Sequence, residues 1–177
     1  MKNIYLTGFM GTGKSISGKV LAKKIAREFV ETDKVIEDKQ GLKIADIFSQ
    51  KGEPYFRALE KKVVGELSLR DNLVVSCGGG MICSEDNLKT LKSTGIVFSL
   101  KASALIIYER IRNDDQRPLL SVDDPLDKIK ELLEERECYY KQAHHVIDTE
   151  SMLPQDIASE IIRILGSEEL INSKISS

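Results

Sequence analysis

Eight residues near the start of the chain, Gly8-Phe9-Met10-Gly11-Thr12-Gly13-Lys14-Ser15, carry its strongest chemical signal. The pattern is glycine, four residues, then Gly-Lys-Ser. Glycines there let successive backbone N–H groups turn inward around a phosphate, and a helix opening at the lysine aims its N-terminal dipole at the same anion. An ammonium at 14 reaches the β- and γ-phosphates of a nucleoside triphosphate, and a hydroxyl at 15 can ligate Mg²⁺. Gly11, Thr12, Gly13, Lys14, Ser15 and Ile16 are therefore the candidate ATP-binding residues of a P-loop. A chance glycine-rich turn would share the letters; a strand before it and a helix after it separate the two readings.

Both flanks are present. Ile4 to Thr7 reads as a short buried strand, and beyond the glycines Ile16, Val20, Leu21 and Ile25 recur at helical spacing. Further strands are expected at Phe29–Thr32, Leu73–Ser76, Ile96–Leu100 and Val146–Asp148. Helices are expected from Lys34 to Gly41, over Ile44–Gln50, over Pro54–Leu69, around Glu131–Glu137, and on the segment bearing Ile157, Ile161, Ile162 and Leu165. Strands alternating with helices predict an α/β fold: a five-stranded parallel sheet with helices on both faces. Ligands in such sheets sit beyond the carboxyl ends of the strands, which gathers the Gly8 loop, the residues after Thr32 and the three glycines Gly78–Gly80 along one edge. The tail from about 167 to 177 is polar and is expected to fray.

Composition limits the remaining choices. The 177 residues suit a single domain, 41% hydrophobic and 31% charged, with a formal net charge of -2. That balance offers no basic field for nucleic acid or an acidic membrane, so any anion must be held by a local site. The three scattered cysteines, Cys77, Cys83 and Cys138, fit neither a disulfide framework nor a metal-ligand spacing. No targeting segment is expected, because the first apolar stretch runs straight into the glycine motif, and no apolar run approaches the roughly 20 residues that span a bilayer. A soluble cytoplasmic monomer is the expectation.

Among P-loop proteins, the chain lacks an Asn-Lys-x-Asp string for guanine, and its third strand ends in Ser76-Cys77 rather than in a Mg²⁺-holding aspartate. This favours a small-molecule kinase. The remaining strings come in a telling order: GFMGTGKS, then Asp33 with Ile36-Glu37, GEPYFRALE from Gly52, GGG from Gly78, RPLL from Arg117 and RECYY from Arg136. Together they resemble the shikimate kinase family over Lys2 to about Leu165. The resemblance implies a P-loop nucleoside-triphosphate-hydrolase fold, nucleoside-monophosphate-kinase-like, with a lid over about 112–124 and a substrate-binding segment over about 32–60. It implies transfer of the γ-phosphate of ATP to the 3-hydroxyl of shikimate, with Mg²⁺, a step toward chorismate and the aromatic amino acids.

By the same resemblance, Asp33 binds the acceptor hydroxyls and is placed to accept the proton. Arg57 and Arg136 hold the shikimate carboxylate, and Gly78, Gly79 and Gly80 line its ring. Arg117 comes down over the phosphates from the lid, making Lys14, Asp33 and Arg117 the catalytic set, while Arg110 packs near the adenine. The chemistry suits these types: guanidinium forks for a carboxylate, bare backbone for close approach, fixed cations for phosphoryl transfer. The family's usual Asp-x-Asp is here Glu31-Thr32-Asp33, so the carboxylate that helps hold Mg²⁺ through water carries an extra methylene. Met81-Ile82 replaces smaller residues and is expected to tighten the acceptor pocket.

Plainer roles compete at several positions. Asp33 could cap the helix after it. Glu37 could pair with Lys34, and Arg57 with Glu60 as a surface ion pair, although the surrounding string favours Glu60 as the residue that orients Arg57. Arg136 sits in a highly charged helix. His144 and His145 read as lead-ins to the fifth strand, and Cys77 as a small buried filler. A related kinase of another polyol acid, such as gluconate, would not need Arg57, Gly78–Gly80 and Arg136 together. A binding protein that had lost catalysis should lack Lys14, Asp33 or Arg117, and a nucleotide-sensing switch is the most distant alternative.

Overall fold

The computed structural model describes residues 2–112, 122 and 124–175, those from 168 onward in backbone only. Strands β1 (Asn3–Thr7), β2 (Glu28–Glu31), β3 (Leu73–Ser76), β4 (Gly95–Lys101) and β5 (His145–Asp148) form one sheet in the order β2-β3-β1-β4-β5. Every pairing is parallel, with Ile4 opposite Val74 on one side of β1 and Ile96 on the other. Parallel neighbours require crossovers, which run through α1 (Lys14–Lys24), α2 (Thr32–Gln40), α3 (Ile44–Ser68), α4 (Glu85–Thr94), α5 (Ala104–Ile111) and α6 (Pro125–Tyr140), while α7 (Pro154–Ile175) follows the last strand.

Side chains alternate across a strand, and here both faces are covered, so β1 is apolar nearly throughout. Ile4 and Leu6 join Leu21 of α1, Phe98 and Leu100 of β4, and Ile157 and Ile161 of α7 in one core. Tyr5 points the other way, into a larger core with Val75, Val97, Ile107 of α5, Ile129 of α6 and Val63 of α3. Each fully buried leucine or isoleucine contributes roughly 1.5–3 kcal/mol relative to exposure. The polar Asn3 at the start of β1 is buried too, and its amide satisfies the carbonyls of Leu67 and Arg70 while its oxygen accepts from Leu73 N–H. That clamp ties the end of α3 to the start of β3.

The expected strands stand within one residue of the observed ones, but four expectations change. Ile16 is 62% exposed, because α1 turns Lys14, Ser17, Gly18, Leu21 and Ala22 inward instead. The helices expected on either side of Gly52 run together as α3, yet Gly52 breaks the helical geometry at φ 79, ψ 168, a conformation open to glycine. Pro54 then falls in the first turn after the break, where its missing N–H is harmless. Helix α7 runs from Pro154 to Ile175, longer than the apolar spacing from Ile157 to Leu165 marked out, since polar residues such as glutamate and lysine are good helix formers. Met81 and Ile82 are completely buried in the larger core, inside a 3-10 turn (Met81–Cys83), so they fill the core rather than narrow a pocket. No described helix is long and apolar enough to cross a membrane.

Candidate active site

The loop between β1 and α1 is shaped by what lies beneath it. Gly8 has φ +125, and a Cβ there would come within 2.2 Å of the Leu100 carbonyl oxygen. Glycine is thus required both by the backbone conformation and by the neighbouring strand. Thr12 is fully buried and serves the loop itself, its hydroxyl donating to Phe9 O at 2.8 Å. The Lys14 ammonium donates to Gly8 O and Phe9 O, both at 2.8 Å, so it crosses the mouth of the loop. Helix α1 begins at Lys14 without any side-chain cap, leaving its first N–H groups directed into the cavity in front.

That cavity, of about 660 Å³, is lined by the loop from Met10 to Ser17, by Glu31, Asp33, Ser76, Cys77 and Gly79, and by Arg110, Met152, Pro154 and Ile157. The exposed Ile16 lies on its wall. The Ser15 hydroxyl donates to the Glu31 carboxylate and lies 3.3 Å from the Ser76 hydroxyl. Arg110 reaches back from α5 to donate to Gly11 O at 3.2 Å and to Thr149 O at 2.9 Å, tying the phosphate loop to the segment after β5. The apolar wall of Met152, Pro154 and Ile157 was not foreseen as part of a site. Its only sequence signal was a helix face, and α7 packing against α1 brings it to the loop.

A second cavity, of about 360 Å³, lies past the three glycines and is lined by Glu53, Arg57, Gly80, Cys83, Ser84, Glu135, Arg136 and Tyr139. Arg57 donates to Glu60 at 2.6 Å and to Glu53 at 3.0 and 2.6 Å, and lies so close over Gly80 that a Cβ there would meet its Nη1 at 2.7 Å. Arg136 comes from α6, its guanidinium 5.7 Å from the centroid of the Phe9 ring. Glu53 was missed in the sequence, although its position four residues before Arg57 on a helix was a usable signal.

Glu60 is not on the surface: its side chain is 1% exposed, against 30% for Arg57. The pair is therefore a buried one, contrary to the surface ion pair considered from the sequence. Burial pushes the Glu60 carboxyl up to about 7; the Arg57 guanidinium opposes this, and the Asp33 carboxylate adds to it. For Arg57, burial lowers the pKa, but the Glu60 and Glu53 carboxylates outweigh it and leave it raised. The 2.6 Å contact and the raised Glu60 value are compatible, because desolvating an acid this deeply exceeds the attraction of one half-exposed guanidinium.

Between the cavities stand Gly78–Gly80. A side chain at Gly78 would strike Asp33 Oδ1 at 2.7 Å and Glu60 Oε1 at 2.9 Å, so the two carboxylates flank this glycine. The buried Thr32 hydroxyl accepts the Gly78 N–H at 2.9 Å and donates to Ser76 O at 3.3 Å, joining the ends of β2 and β3. Asp33 lies in the first turn of α2 but is not its cap, which is Glu31. Glu37 pairs with Lys43 rather than Lys34, and accepts the N–H of Ile44 at 3.1 Å, closing the turn into α3. Lys34 pairs instead with Asp38. Cys77 is buried with its thiol held protonated by desolvation, as expected of a filler. His145 opens β5 and stacks on Phe98, and His144 accepts the N–H of Val97, consistent with their reading as lead-ins. Arg117 and most of the 112–124 segment lie outside the described residues.

A phosphate loop at the centre of a five-stranded parallel sheet, with a second polar cavity beside it, defines a P-loop kinase of the nucleoside-monophosphate-kinase type. The family model described as shikimate kinase matches residues 10–166. A shikimate kinase of Thermodesulfovibrio yellowstonii is 43% identical over 98% of this chain and 99% of its own length, and one of Sulfurihydrogenibium is 47% identical over 92% and 96%. The structure of a shikimate kinase from Acinetobacter baumannii in complex with shikimate superposes with a TM-score of 0.93, at 39% identity, covering 96% of each chain. The chain belongs to the shikimate kinase family. Membership brings the family's activity class: ATP-dependent phosphoryl transfer to a hydroxyl of shikimate.

Proposed function

We propose that the larger cavity takes ATP and the smaller one shikimate, and that a ring hydroxyl of shikimate attacks the γ-phosphate where the cavities meet at Gly78–Gly80. Loop N–H groups and Lys14 hold the β- and γ-phosphates, and Arg110 with the apolar wall of Met152 and Pro154 receives the adenine end. Arg57 and Arg136 hold the acceptor carboxylate, with Gly79 and Gly80 offering bare backbone to the ring. Asp33 lies on the nucleotide side of the junction and accepts the hydroxyl proton as the new P–O bond forms and ADP departs. Arg117 adds positive charge over the phosphates. The observation that carries this reading is the placement of two unlike cavities on consecutive glycines, with Gly79 on one and Gly80 on the other.

The residues around Ser15 suit Mg²⁺. Its hydroxyl, the Glu31 carboxylate bonded to it and the nearby Ser76 hydroxyl are all hard oxygen donors. Ser15 would be the direct ligand, and Glu31 would act through water. Bound there, the ion neutralises charge on the β- and γ-phosphates. The chain is taken to act as a cytoplasmic monomer.

The test is ADP release from Mg-ATP with shikimate, with gluconate and with no acceptor. Turnover is expected with shikimate alone, and Lys14→Ala and Asp33→Asn each lower kcat by about 10²-fold or more. Equal turnover on gluconate, or undiminished turnover in Asp33→Asn, would overturn the assignment.

A further inference from the structure

Tyr140 closes α6 at 8% exposure and lines neither cavity, yet its hydroxyl donates to the Gly79 carbonyl at 2.7 Å. Gly79 is the peptide that divides the two cavities. The position a Cβ would take on it is 3.4 Å from the N–H nitrogen of Met10 and 3.7 Å from the carbonyl oxygen of Gly8, so it rests against the phosphate loop. One turn before Tyr140 on the same helix, Arg136 lines the smaller cavity, and its guanidinium faces the Phe9 ring of the phosphate loop. Burial keeps the phenol protonated at neutral pH, so it remains a donor.

We infer that Tyr140 is a positioning residue for phosphoryl transfer: its hydroxyl fixes Gly79 against the phosphate loop and, through α6, sets Arg136 in register with that loop. The acceptor's carboxylate grip and the partition beside the donor phosphates thereby move as one piece. Alignment of nucleophile and phosphorus is steep in its consequences, and a displacement of about 1 Å can lower a rate by about 10²-fold. A purely structural phenol would affect stability and leave the kinetics of the acceptor untouched. Because Tyr140 touches neither cavity, its effect must pass through Gly79 and Arg136. This inference rests on the shikimate reading above.

Tyr140→Phe keeps the ring that fills the core and removes only the oxygen. Tyr5→Phe is the matched control: that phenol is also buried and hydrogen bonded, to Asn3 and Thr94, in a part of the core away from both cavities. Steady-state kinetics and thermal melting are measured on wild type and both variants. The expected result for Tyr140→Phe is a fall in kcat/KM for shikimate of about tenfold or more, with KM for ATP within about twofold of wild type and melting lowered no more than in Tyr5→Phe. Tyr5→Phe leaves the acceptor kinetics as they are. Acceptor kinetics in Tyr140→Phe that match those of Tyr5→Phe, or a rise in KM for ATP as large as the loss in kcat/KM for shikimate, would overturn the inference. Absence of shikimate turnover in the wild type would instead overturn the function on which it rests.

Discussion

Replacing Glu60 with glutamine should make the protein's stability less sensitive to pH, in one direction and over one window. The carboxyl is 1% exposed, its pKa is raised from an ordinary 4.5 to about 7, and its partner Arg57 stays charged throughout. Between those two values the folded protein holds a proton that the unfolded chain has released, so stability falls as pH rises. The contribution is full below about 4.5, declines through the window, and is level above about 7. At about 1.4 kcal/mol per pH unit, the interval from 4.5 to about 7 amounts to about 3 kcal/mol. The carboxylates held below their ordinary values, Asp148 by the Glu150 N–H and Asp86 and Glu160 by neighbouring Lys61 and Arg163, act at more acid pH with the opposite sign. Urea unfolding of wild type and Glu60→Gln, followed by far-UV circular dichroism because the chain has no tryptophan, isolates the group by difference. The stability of Glu60→Gln relative to wild type should rise by about 2.5 kcal/mol from about pH 5 to about pH 8, whatever fixed cost the lost charge on Arg57's partner imposes. A difference that stays level to within about 0.5 kcal/mol across that range would refute the reasoning, since the carboxyl would then titrate alike folded and unfolded.

Two further expectations follow from geometry. Gly8→Ala forces a Cβ to within 2.2 Å of the Leu100 carbonyl at φ +125, so it should lower stability by about 3 kcal/mol or more, read as a fall in thermal melting, with loss of nucleotide binding. Glu31→Asp shortens the carboxylate that bonds the Ser15 hydroxyl, so half-saturating Mg²⁺ in the kinase assay should shift by about threefold or more while KM for shikimate holds; an unchanged Mg²⁺ titration would show that Glu31 has no part in the metal site.

Much of the site was legible because the chemistry demanded it of neighbouring residues. The phosphate loop depends on a local run of backbone N–H groups, so Gly8 to Ser15 declare themselves in eight letters. The strands were equally plain, since a sheet covered on both faces needs continuous apolar runs such as Leu73-Val74-Val75. What stayed hidden depends on contacts between distant segments. Nothing local distinguishes Glu60 from a solvated glutamate three residues beyond an arginine; its burial comes from α3 setting it against Gly78, with Arg57 beside it. The wall of Met152 and Pro154 belongs to the nucleotide cavity only because α7 lies along α1. Met81 and Ile82, next to three glycines, looked like pocket residues, but the 3-10 turn directs both into the core. Ile16 carried two readings, as part of an apolar helical spacing and as a candidate ATP-binding residue, and it lies on the cavity rather than in the core.

The strand order has a consequence for how the enzyme tolerates change. The donor loop leaves β1 and Asp33 follows β2, with β3 hydrogen bonded between them. Two interstrand spacings of about 4.8 Å therefore separate the roots of the donor and acceptor sites, a distance ruled by main-chain pairing and indifferent to side-chain size. Volume changes in either core should erode stability well before they alter the span across which phosphate travels. A slip of β2 by one residue against β3 would be another matter. It would carry Asp33 along by about 3.3 Å and turn the strand's alternation inside out, leaving a folded sheet whose two substrates no longer meet.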